Sequence, residues 1–467
     1  MITTRITAAF FFAATMMHGR NVLVLPNGVA KQPVAVFKGD PLTPAGTFPA
    51  SPSAFTAFSN PAGTKYYVVG REATEALVVV DGTFSSRIKS FDLADGARAA
   101  AITPDGRRIL ILGNSLRIFD TAEDREILTG VVQDLGQDPS DLAVSQDSRR
   151  AYVLSIPSRR LTVIDLGTNT VAGSVPIPGT ATGLAVSPSD LLYVTAQNRI
   201  YEIDGRAAAL RGEIPLNELP GKAGFTPDGR GVVSNKTPVT GSVFALFNPI
   251  NRGVGRLPGF FLPGVTLDRM YPASNNRVFA PVGGTIYEIT LSPVSAGLST
   301  FTTLGGQGTV NDLAFSNEIS ALSNGTVSRY LYLAQGRALN RIDLNLNQLS
   351  GTAPLGFDGG KLAYAGPAST SPVTGFLAYN AKQTVLPGGT SIPLVVRLHD
   401  ASGQPVYNAP VTYTTDAAGV VIESPSTTTN AEGFAQTVLT APATPGSFTV
   451  RASFGTGLTT RFTVNIG

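Results

Sequence analysis

The 467-residue chain contains no cysteine and no tryptophan, only two histidines, and few charged residues, which make up 14% of the sequence. Without cysteine the chain forms no disulfide, no zinc–thiolate site and no thiolate nucleophile. His18 and His399 leave little scope for imidazole catalysis or for a histidine-ligated metal ion. The composition therefore excludes several kinds of chemistry before any motif is considered.

An excess of charge of one sign is also lacking. The 35 basic and 32 acidic residues give a formal net charge of +3, and they are spread along the chain without runs. Proteins that bind nucleic acid usually carry a clustered basic surface, because phosphate contacts dominate their affinity. We therefore expect no nucleic-acid partner.

Common catalytic motifs are absent from the sequence. It contains no glycine-rich phosphate loop followed by lysine, no G-x-S-x-G, no H-E-x-x-H and no D-x-D-x-D-G loop. His399 precedes Asp400 in a predicted turn, where we expect a solvated histidine rather than a member of a catalytic triad. We predict no catalytic, metal-binding or cofactor-binding residue, no cofactor and no enzyme activity, and the ligand-binding residues stay unassigned.

Glycine and proline, in contrast, are abundant, with 50 and 33 residues. This content argues against long helices and coiled coils. A chain of this length exceeds the size at which a single hydrophobic core stops growing, so we expect at least two folded units.

The first nineteen residues have the pattern of a secretory signal peptide. Arg5 is the one positive side chain before an apolar stretch at residues 6–17, which is too short to cross a bilayer. We expect residues 1–19 to be a signal peptide with no transmembrane segment after it. The expected location is secreted, periplasmic or on a bacterial cell surface, and the expected state is a monomer.

One phrase recurs along the chain: a strand of small apolar residues ends in Ser or Thr, a turn of Pro, Asp or Gly follows, and a β-rich strand comes next. Its mean period is about 43 residues. The Ser or Thr residues that mark the register are Ser59, Thr103, Ser145, Ser187, Thr226 and Ser316.

A second strand follows within each repeat and usually ends in aspartate. These residues are Asp81, Asp120, Asp165, Asp204 and Asp343. An aspartate in this position accepts hydrogen bonds from the N–H groups of its own turn. A ring of such aspartates could instead form a metal or acid–base site, but residues at equivalent places in different repeats lie too far apart, so we favour the structural role.

Four short strands in each repeat predict a β-propeller. The stretch at residues 151–195 resembles the YVTN family of propeller repeats found in bacterial and archaeal surface-layer and exported proteins. The matching residues are Tyr152-Val153, Val163-Ile164-Asp165, Asn169-Thr170-Val171 and Tyr193-Val194-Thr195. The resemblance covers about residues 34–366 and implies an all-β propeller, whose domain we place at residues 20–366.

The number of blades is open at this point. Seven complete repeats predict seven blades. KLAYAG at residues 361–366 has the pattern of an additional inner strand, and NVLVL at 21–25 and PVAVF at 33–37 have that of outer strands. These segments either close the last blade or build a split eighth, and we favour seven blades with eight as the alternative.

Glycines in the repeated turn are expected to need a positive φ. Pro-Asp-Gly occurs at residues 104–106 and 227–229, between the inner strand and the next one. Such a turn places proline where φ is preset and glycine where φ is positive. The prediction applies to Gly106 and Gly229.

A second domain is predicted after a linker at residues 367–374, where the period stops. Residues 375–467 contain short alternating strands separated by Gly, Pro and Asn, which predicts a β-sandwich. This segment resembles the bacterial Ig-like domain, group 1, of invasin- and intimin-type adhesins. The matching phrases begin at Pro387, Asp400, Val411, Thr429 and Val450. The resemblance implies a spacer or docking module on an exported protein.

Paired arginines lie in or beside predicted hairpin turns. The pairs are Arg107-Arg108, Arg149-Arg150 and Arg159-Arg160. They are either an anion-binding set or solvated turn residues, and we favour the latter.

Two functions from different classes fit the sequence. The favoured one is a non-catalytic exported binding or cell-surface scaffold, with one propeller face contacting a protein or glycan. The alternative is a lactonase-type propeller hydrolase acting on a small carbohydrate-derived substrate. At least three charged side chains converging in the central funnel would favour the hydrolase.

Overall fold

A computed structural model describes residues 20–467, except 29–31, 52, 84–85, 128–131, 217, 227–228, 236–243, 248–253, 257–269, 275–276, 292–295, 302–307, 317–318, 323–324, 347, 367, 370, 380 and 402–403. The predicted signal peptide lies outside the described residues. The described residues form strands and turns and contain no helix. The all-β class is therefore confirmed.

The first part of the chain consists of short strands separated by tight turns. These strands are β1 (Asn21–Pro26), β2 (Val34–Lys38), β3 (Thr43–Phe48), β4 (Ala54–Ser59), β5 (Lys65–Gly70), β6 (Leu77–Asp81), β7 (Ser86–Phe91), β8 (Ala99–Ile102), β9 (Arg108–Leu112), β10 (Leu116–Asp120), β11 (Arg125–Glu126), β12 (Pro139–Val144), β13 (Arg150–Ser155), β14 (Arg160–Asp165), β15 (Thr170–Pro176), β16 (Ala181–Val186), β17 (Leu192–Ala196), β18 (Arg199–Asp204) and β19 (Ala209–Pro215).

The same pattern continues to residue 365. The strands here are β20 (Pro220–Phe225), β21 (Gly231–Asn235), β22 (Phe244–Phe247), β23 (Val254–Arg256), β24 (Tyr271–Ser274), β25 (Arg277–Val282), β26 (Thr285–Leu291), β27 (Ala296–Phe301), β28 (Val310–Phe315), β29 (Ile319–Leu322), β30 (Gly325–Ser328), β31 (Tyr330–Gln335), β32 (Ala338–Asp343), β33 (Gln348–Pro354) and β34 (Gly359–Ala365).

Most of these strands form antiparallel four-stranded sheets of consecutive strands. The sheets are β4 to β7, β8 to β11, β12 to β15, β16 to β19 and β20 to β23. The sheet of β24 to β27 is extended by the hairpin β29–β30, which interrupts the next sheet between β28 and β31. Residues 20–366, which we call the repeat region, thus have the serial meander arrangement of a propeller-like fold.

The N-terminal strands pair with the last strand of the repeat region. The sheet order is β3-β2-β1-β34, with Leu23 opposite Ala363. Arg341, on β32, donates from its guanidinium to the carbonyl oxygen of Gly39 at 2.7 Å and to Asp40 Oδ1 at 2.8 Å. The strands expected from KLAYAG, NVLVL and PVAVF are therefore present and share one sheet.

The first strand of each sheet contacts the first strands of neighbouring sheets. β34 contacts both β4 and β28, and the series β4, β8, β12, β16 and β20 continues the contacts. We call these the inner strands. Fourth strands such as β7, β15, β19 and β33 are mostly exposed, whereas second and third strands are buried. Apolar side chains on the middle strands fill the space between sheets, and this burial stabilises the region.

Residues 375–467, the C-terminal sandwich, form two main sheets with orders β35-β37-β41 and β36-β44-β43-β38-β40. Their strands are β35 (Gly375–Tyr379), β36 (Lys382–Val385), β37 (Leu394–His399), β38 (Pro410–Thr414), β39 (Val421–Ile422), β40 (Ser426–Thr428), β41 (Phe434–Thr437), β42 (Leu439–Thr440), β43 (Gly446–Phe454) and β44 (Leu458–Ile466). Side chains from both sheets, including Leu398, Tyr413 and Phe462, form one buried core.

The predicted linker is held against both units. The backbone N–H of Ala368 donates to the carbonyl oxygen of Pro61 in the repeat region at 2.8 Å. Ser369 is buried, and its hydroxyl donates to Asp400 Oδ2 at 2.5 Å in the C-terminal sandwich. The connection between the two units is therefore anchored on each side.

Candidate functional site between the repeats and the C-terminal sandwich

Buried hydroxyls hold the hairpins that join first and second strands. Thr103 Oγ1 donates to Asp105 Oδ1 at 2.6 Å and accepts from the N–H of Arg108 at 3.0 Å. Ser145 donates to Asp147 Oδ1 at 2.6 Å in the next hairpin. The register residues of the repeat therefore build rigid turns at one end of the sheets, which we call the turn end.

Neighbouring turns are also bonded to each other. The N–H of Asp105 donates to Ser148 Oγ at 2.9 Å, and the N–H of Gln146 donates to Asp190 Oδ1 at 2.7 Å. Gly106, in the first of these turns, has a φ of +71°, and Gly229, in a later one, has a φ of +87°. The predicted positive φ of both glycines is confirmed.

The C-terminal sandwich lies on the turn end. The N–H of Ala431 donates to the carbonyl oxygen of Pro104 at 2.8 Å, and Asn430 Nδ2 donates to that of Gln146 at 3.0 Å. Because these bonds use backbone carbonyls of two successive turns, they fix the orientation of the sandwich more than any single side-chain contact does.

Charged side chains add to this contact. Glu423 of the sandwich pairs with Arg206 and lies 3.6 Å from Arg149 in the repeat region. These side chains are partly exposed, and exposed ion pairs contribute little stability. Their main effect is therefore on the specificity of the orientation.

A cavity of about 280 Å³, the turn cavity, lies between the two units. Gln146 and Gln436 line it, and the Oε1 atom of each is buried with no hydrogen-bond partner. Gln436 Nε2 donates to Asp190 Oδ2 at 2.8 Å. The cavity is thus bordered by two side-chain amides, of which that of Gln436 contacts Asp190 directly.

Asp190 is a buried acid at this interface. Burial, together with the charge of the nearby Asp147, raises the pKa of the Asp190 carboxyl to about 7. The hydrogen bonds from Gln436 and Gln146 and the charge of Arg150 oppose this rise in pKa. Asp190 therefore titrates in the physiological range.

A second cavity, of about 390 Å³, lies beside the inner strands and is called the inner-strand cavity. Its lining includes Phe58 on β4, Ile102 on β8 and Tyr364 on β34, together with Arg397 and Glu432 of the C-terminal sandwich. Both units thus contribute to one concave surface, with aromatic groups on one side and two opposite charges on the other.

The turn that carries Glu432 is rigid. Asn430 Oδ1 accepts from the N–H groups of Glu432 at 2.9 Å and Phe434 at 3.0 Å. Arg397 Nε donates to the carbonyl oxygen of Glu432 at 3.0 Å. The protein around the carboxyl raises the pKa of Glu432, and the charge of Arg397 partly offsets this rise. Glu432 nevertheless stays exposed to solvent.

Charged residues of the inner strands are paired. Lys222 Nζ lies 3.3 Å from Asp141 Oδ2, and Lys361 Nζ lies 3.3 Å from Asp312 Oδ1. Asp312 Oδ2 also accepts from the N–H of Leu362 at 3.0 Å. These acids therefore join neighbouring inner strands.

The recurrent aspartates occupy the turns after the third strands, as predicted. Each accepts hydrogen bonds from N–H groups of its own turn. The residues are Asp81, Asp120, Asp165, Asp204 and Asp343, which accept from Thr83, Ala122, Gly167, Arg206 and Asn345, respectively. Their structural role is confirmed.

The paired arginines do not form one anion-binding set among the described residues. Arg107 and Arg149 both line the turn cavity. Arg108 donates to the carbonyl oxygen of Leu166, and Arg160 lies 3.0 Å from Asp134 Oδ1. The first arginine of a pair thus faces a cavity or solvent, whereas Arg108 and Arg160, the second members of their pairs, make local structural contacts.

His399 differs from the expected solvated turn histidine. It is the last residue of β37, is half-buried, and its ring lies over Gly375, where an added Cβ would come within 1.8 Å of it. Its Nδ1 is 3.1 Å from the carbonyl oxygen of Asp400, while Ser369 donates directly to the Asp400 carboxylate. Ser369, His399 and Asp400 therefore do not form the hydrogen-bond chain of a catalytic triad. His399 is half-buried because β37 pairs with β35, which places Gly375 opposite it.

The C-terminal sandwich matches the family model for the bacterial Ig-like domain (group 1) over residues 377–466. Among solved structures, the chain is similar to dihydro-heme d1 dehydrogenase NirN in complex with DHE, with a TM-score of 0.58 and 17% identity over 75% of this chain and 76% of that chain. Among curated protein sequences, none matches the chain.

Two other solved structures have lower scores. Kuenenia stuttgartiensis hydrazine synthase has a TM-score of 0.46 and 16% identity over 66% of this chain and 96% of that chain. A functionally unknown protein from Desulfotomaculum acetoxidans DSM 771 has a TM-score of 0.46 and 12% identity over 75% of this chain and 99% of that chain.

These comparisons support the Ig-like fold of the sandwich and a propeller-like fold of the repeat region. Domains of this Ig-like family occur in bacterial surface proteins. The YVTN-type interpretation of the repeats stays a prediction. Within the part of the chain that the structure describes, no helix has the length and apolar character needed to span a bilayer. The same residues hold no group of three or more His, Asp or Glu side chains suited to a metal ion.

The interface residues Asp190, Gln436, Arg397 and Glu432 were not identified from the sequence. Glu432 lies inside the turn phrase that matches the Ig-like family, and that phrase predicts only a turn. The partners of these residues are remote in sequence, since Gln436 and Asp190 are 246 positions apart. The sequence around an acid in a turn of one domain does not indicate which residues of the other domain will contact it.

Proposed function

We propose that this chain is a non-catalytic, exported binding or cell-surface scaffold protein whose repeat region binds a protein or glycan partner. The observation that carries the proposal is the position of the C-terminal sandwich on the turn end. Its hydrogen bonds to the backbone carbonyls of Pro104 and Gln146 place it against the turns of two neighbouring sheets at that end. The turns at the opposite end, which join second and third strands, stay available to a partner.

The opposite end, which we call the loop end, carries exposed side chains of varied chemistry. They include Glu72 after β5, Arg159 after β13, Gln197 after β17 and Arg337 after β31. Turns on a rigid scaffold are suited to binding, because their side chains vary without changing the fold beneath them. The charges of both signs fit a polar protein surface or a glycan.

The repeat region is proposed to be a closed propeller of eight blades. This proposal is supported by the sheet that joins β34 to β1, and by the contacts of β34 with both β4 and β28. We thus prefer the alternative of eight blades to the seven blades that the repeat count favoured. Closure through the two ends of the region stabilises the ring, because no sheet is then left without a neighbour on one side.

The binding proposal is tested with the full-length protein immobilised on a surface. A bacterial extracellular fraction and a printed glycan array are the two probes. The triple variant Glu72→Ala, Arg159→Ala and Arg337→Ala should lose at least about tenfold in affinity, which corresponds to about 1.4 kcal/mol from the three side chains together.

The control variant removes exposed charges from outer strands of the same sheets. It combines Arg87→Ala, Arg125→Ala and Glu213→Ala, and it should bind as the wild type does. If both variants bind the captured partner equally well, the loop end is not the binding surface. If neither probe binds the wild-type protein, the scaffold proposal fails.

We expect the purified protein to show no turnover of lactones, glycosides or phosphoesters, and EDTA to leave any ligand binding unchanged. The reason is that Asp141 and Asp312 are held by lysines and by backbone N–H groups of adjoining inner strands. The carboxylates of both acids already accept hydrogen bonds that join inner strands, which supports a structural role. Metal-dependent hydrolysis that disappears in Asp141→Ala or Asp312→Ala would favour the lactonase-type alternative.

A further inference from the structure

The inner-strand cavity is a composite pocket that neither unit forms alone. At about 390 Å³ it falls in the volume range of small-molecule sites, which begins at roughly 300 Å³. Inner strands β4, β8 and β34 supply one wall, and the turn at residues 430–433 with Arg397 supplies the other. It lies at the opposite end of the sheets from the proposed loop-end surface.

Glu432 is the unusual group in this pocket. Among the described residues, no hydrogen bond or close ion pair holds its carboxylate, although both its own backbone groups are bonded. Glu432 is exposed to solvent, so its carboxylate oxygens are hydrated and can exchange water for the hydroxyl groups of a ligand. Glu432 is thus positioned by its backbone and its acceptor atoms are available to a ligand.

The backbone of the turn fixes where the Glu432 side chain starts, at the edge of the pocket. Gly433 has a φ of +80°, and a Cβ at this position would lie 2.5 Å from the carbonyl oxygen of Leu398. The N–H of Ala431 is bonded to Pro104 in the repeat region. The turn is therefore locked on both sides, and it presents Glu432 in a fixed place.

Arg397 gives the pocket the complementary group. Its guanidinium carbon lies 5.3 Å from the centre of the Phe434 ring, and its Nε holds the backbone of Glu432. The remaining guanidinium N–H groups are donors in a planar fork. One fixed acceptor and one fixed donor with opposite charges give the site no net charge, which favours a neutral ligand over an anion or a cation.

The rest of the lining is apolar and aromatic. Phe58, Ile102 and Tyr364 are partly exposed, and one face of the Tyr364 ring stacks on Tyr332 with the ring centres 5.8 Å apart. A ligand suited to this wall has an apolar face, and one suited to Glu432 and Arg397 has hydroxyl groups that both donate and accept. A sugar ring combines the two properties, since its C–H groups lie on one face and its hydroxyls lie around the edge.

We propose that the inner-strand cavity binds one residue of a neutral saccharide, with Glu432 and Arg397 hydrogen-bonding its hydroxyls and with Phe58 and Tyr364 packing on its ring. This site goes beyond the loop-end surface and is independent of the partner bound there. A hydroxyl that bridges the two charged groups accepts from Arg397 and donates to Glu432, and both of these hydrogen bonds are charge-assisted.

The test uses the full-length protein and a printed array of neutral, acidic and amino sugars, with free amino acids as additional probes in solution. The wild-type protein should bind neutral sugars. Glu432→Gln should weaken the strongest neutral hit at least about tenfold, because it replaces a charged acceptor with a neutral amide. Saturation-transfer NMR with the same sugar should lose its signal in parallel.

The matched control is Asp416→Asn, which changes an exposed acid of the same domain that lines neither cavity. It should bind neutral sugars as the wild type does, and both variants should keep the wild-type melting temperature. Equal sugar binding by the two variants overturns the proposal. Binding of acidic sugars or free amino acids alone, or no binding of any of these probes, overturns it as well.

The loop-end triple variant separates this proposal from the binding function. A sugar signal that is lost in that variant and kept in Glu432→Gln places the saccharide at the loop end and overturns the inner-strand site while leaving the binding function intact. If the wild-type protein captures a partner from the extracellular fraction but binds no sugar on the array, the inner-strand site is likewise overturned and the binding function stands. Loss of signal in Glu432→Gln alone supports the inner-strand site.

Discussion

Replacing Gly106 with valine is expected to destabilise the protein by about 3–5 kcal/mol, because two separate costs add at this position. Its φ of +71° is strained for a β-branched residue. A Cβ there would also lie 2.2 Å from the Cγ and Cδ atoms of Pro61. The melting temperature measures the effect, and it should fall by several degrees.

Two matched glycines separate these costs. Gly229 has a φ of +87° with no atom within 4 Å of an added Cβ, so Gly229→Val should cost only about 1–3 kcal/mol from backbone strain. Gly356 has open space and no positive φ, so Gly356→Val should change the melting temperature least. An unchanged melting temperature in Gly106→Val would contradict the turn geometry.

The free energy of unfolding of the full-length protein is expected to fall as the pH rises from about 4 to about 7, with Asp190 as the main cause. The ordinary pKa of this carboxyl is 3.8, and burial raises its pKa to about 7 in the folded protein. In this window the unfolded chain has released the proton and the folded chain still holds it. The unfolded state therefore binds fewer protons, and a higher pH favours it.

Asp190→Asn should remove most of this pH dependence. The asparagine Oδ1 still accepts from the N–H of Gln146, and its Nδ2 can donate to Gln436 Oε1, which has no partner in the wild-type protein. Asparagine also tolerates the φ of +59° at this position. At pH 8 the variant should be more stable than the wild type by up to about 4 kcal/mol.

The comparison variant is Asp165→Asn. Hydrogen bonds from the backbone N–H of Thr168 and Gly167 lower the pKa of Asp165, so its ionised form contributes stability above its ordinary pKa of 3.8. This contribution is lost as the pH falls through the lowered value, which is the opposite sign to Asp190. Asp165→Asn should therefore not stabilise the protein at pH 8. Thermal unfolding between pH 4 and pH 8 measures both variants, and parallel pH profiles for wild type and Asp190→Asn would contradict the assignment.

Local features of the repeat were predictable because their physical causes lie within a few residues. Asp120 and Asp165 accept from N–H groups two and three positions ahead, and Gly106 lies in a turn whose φ requirement is local. The recurrent Ser and Thr residues marked the register of the repeat, but their hydrogen bonds were not predicted. Their hydroxyl bonds, such as that of Thr103 to Asp105, became visible only in the structure.

The candidate sites were not predictable in the same way. Asp190 meets Gln436 of the C-terminal sandwich across 246 positions, and Glu432 lines a pocket whose aromatic wall comes from strands at both ends of the repeat region. Alternation and turn residues report which face of a strand is buried, but they do not report which remote surface buries it.

By itself, the sequence determined the all-β class, the series of short strands, the turn roles of the recurrent aspartates and the Ig-like sandwich, because periodicity and turn chemistry act over a few residues. Only the tertiary structure decided that β34 pairs with β1, that the sandwich lies on the turn end, and that Glu432 and Arg397 complete an inner-strand cavity. Those arrangements depend on complementary surfaces brought together across hundreds of residues, and such complementarity leaves no periodic trace in the chain.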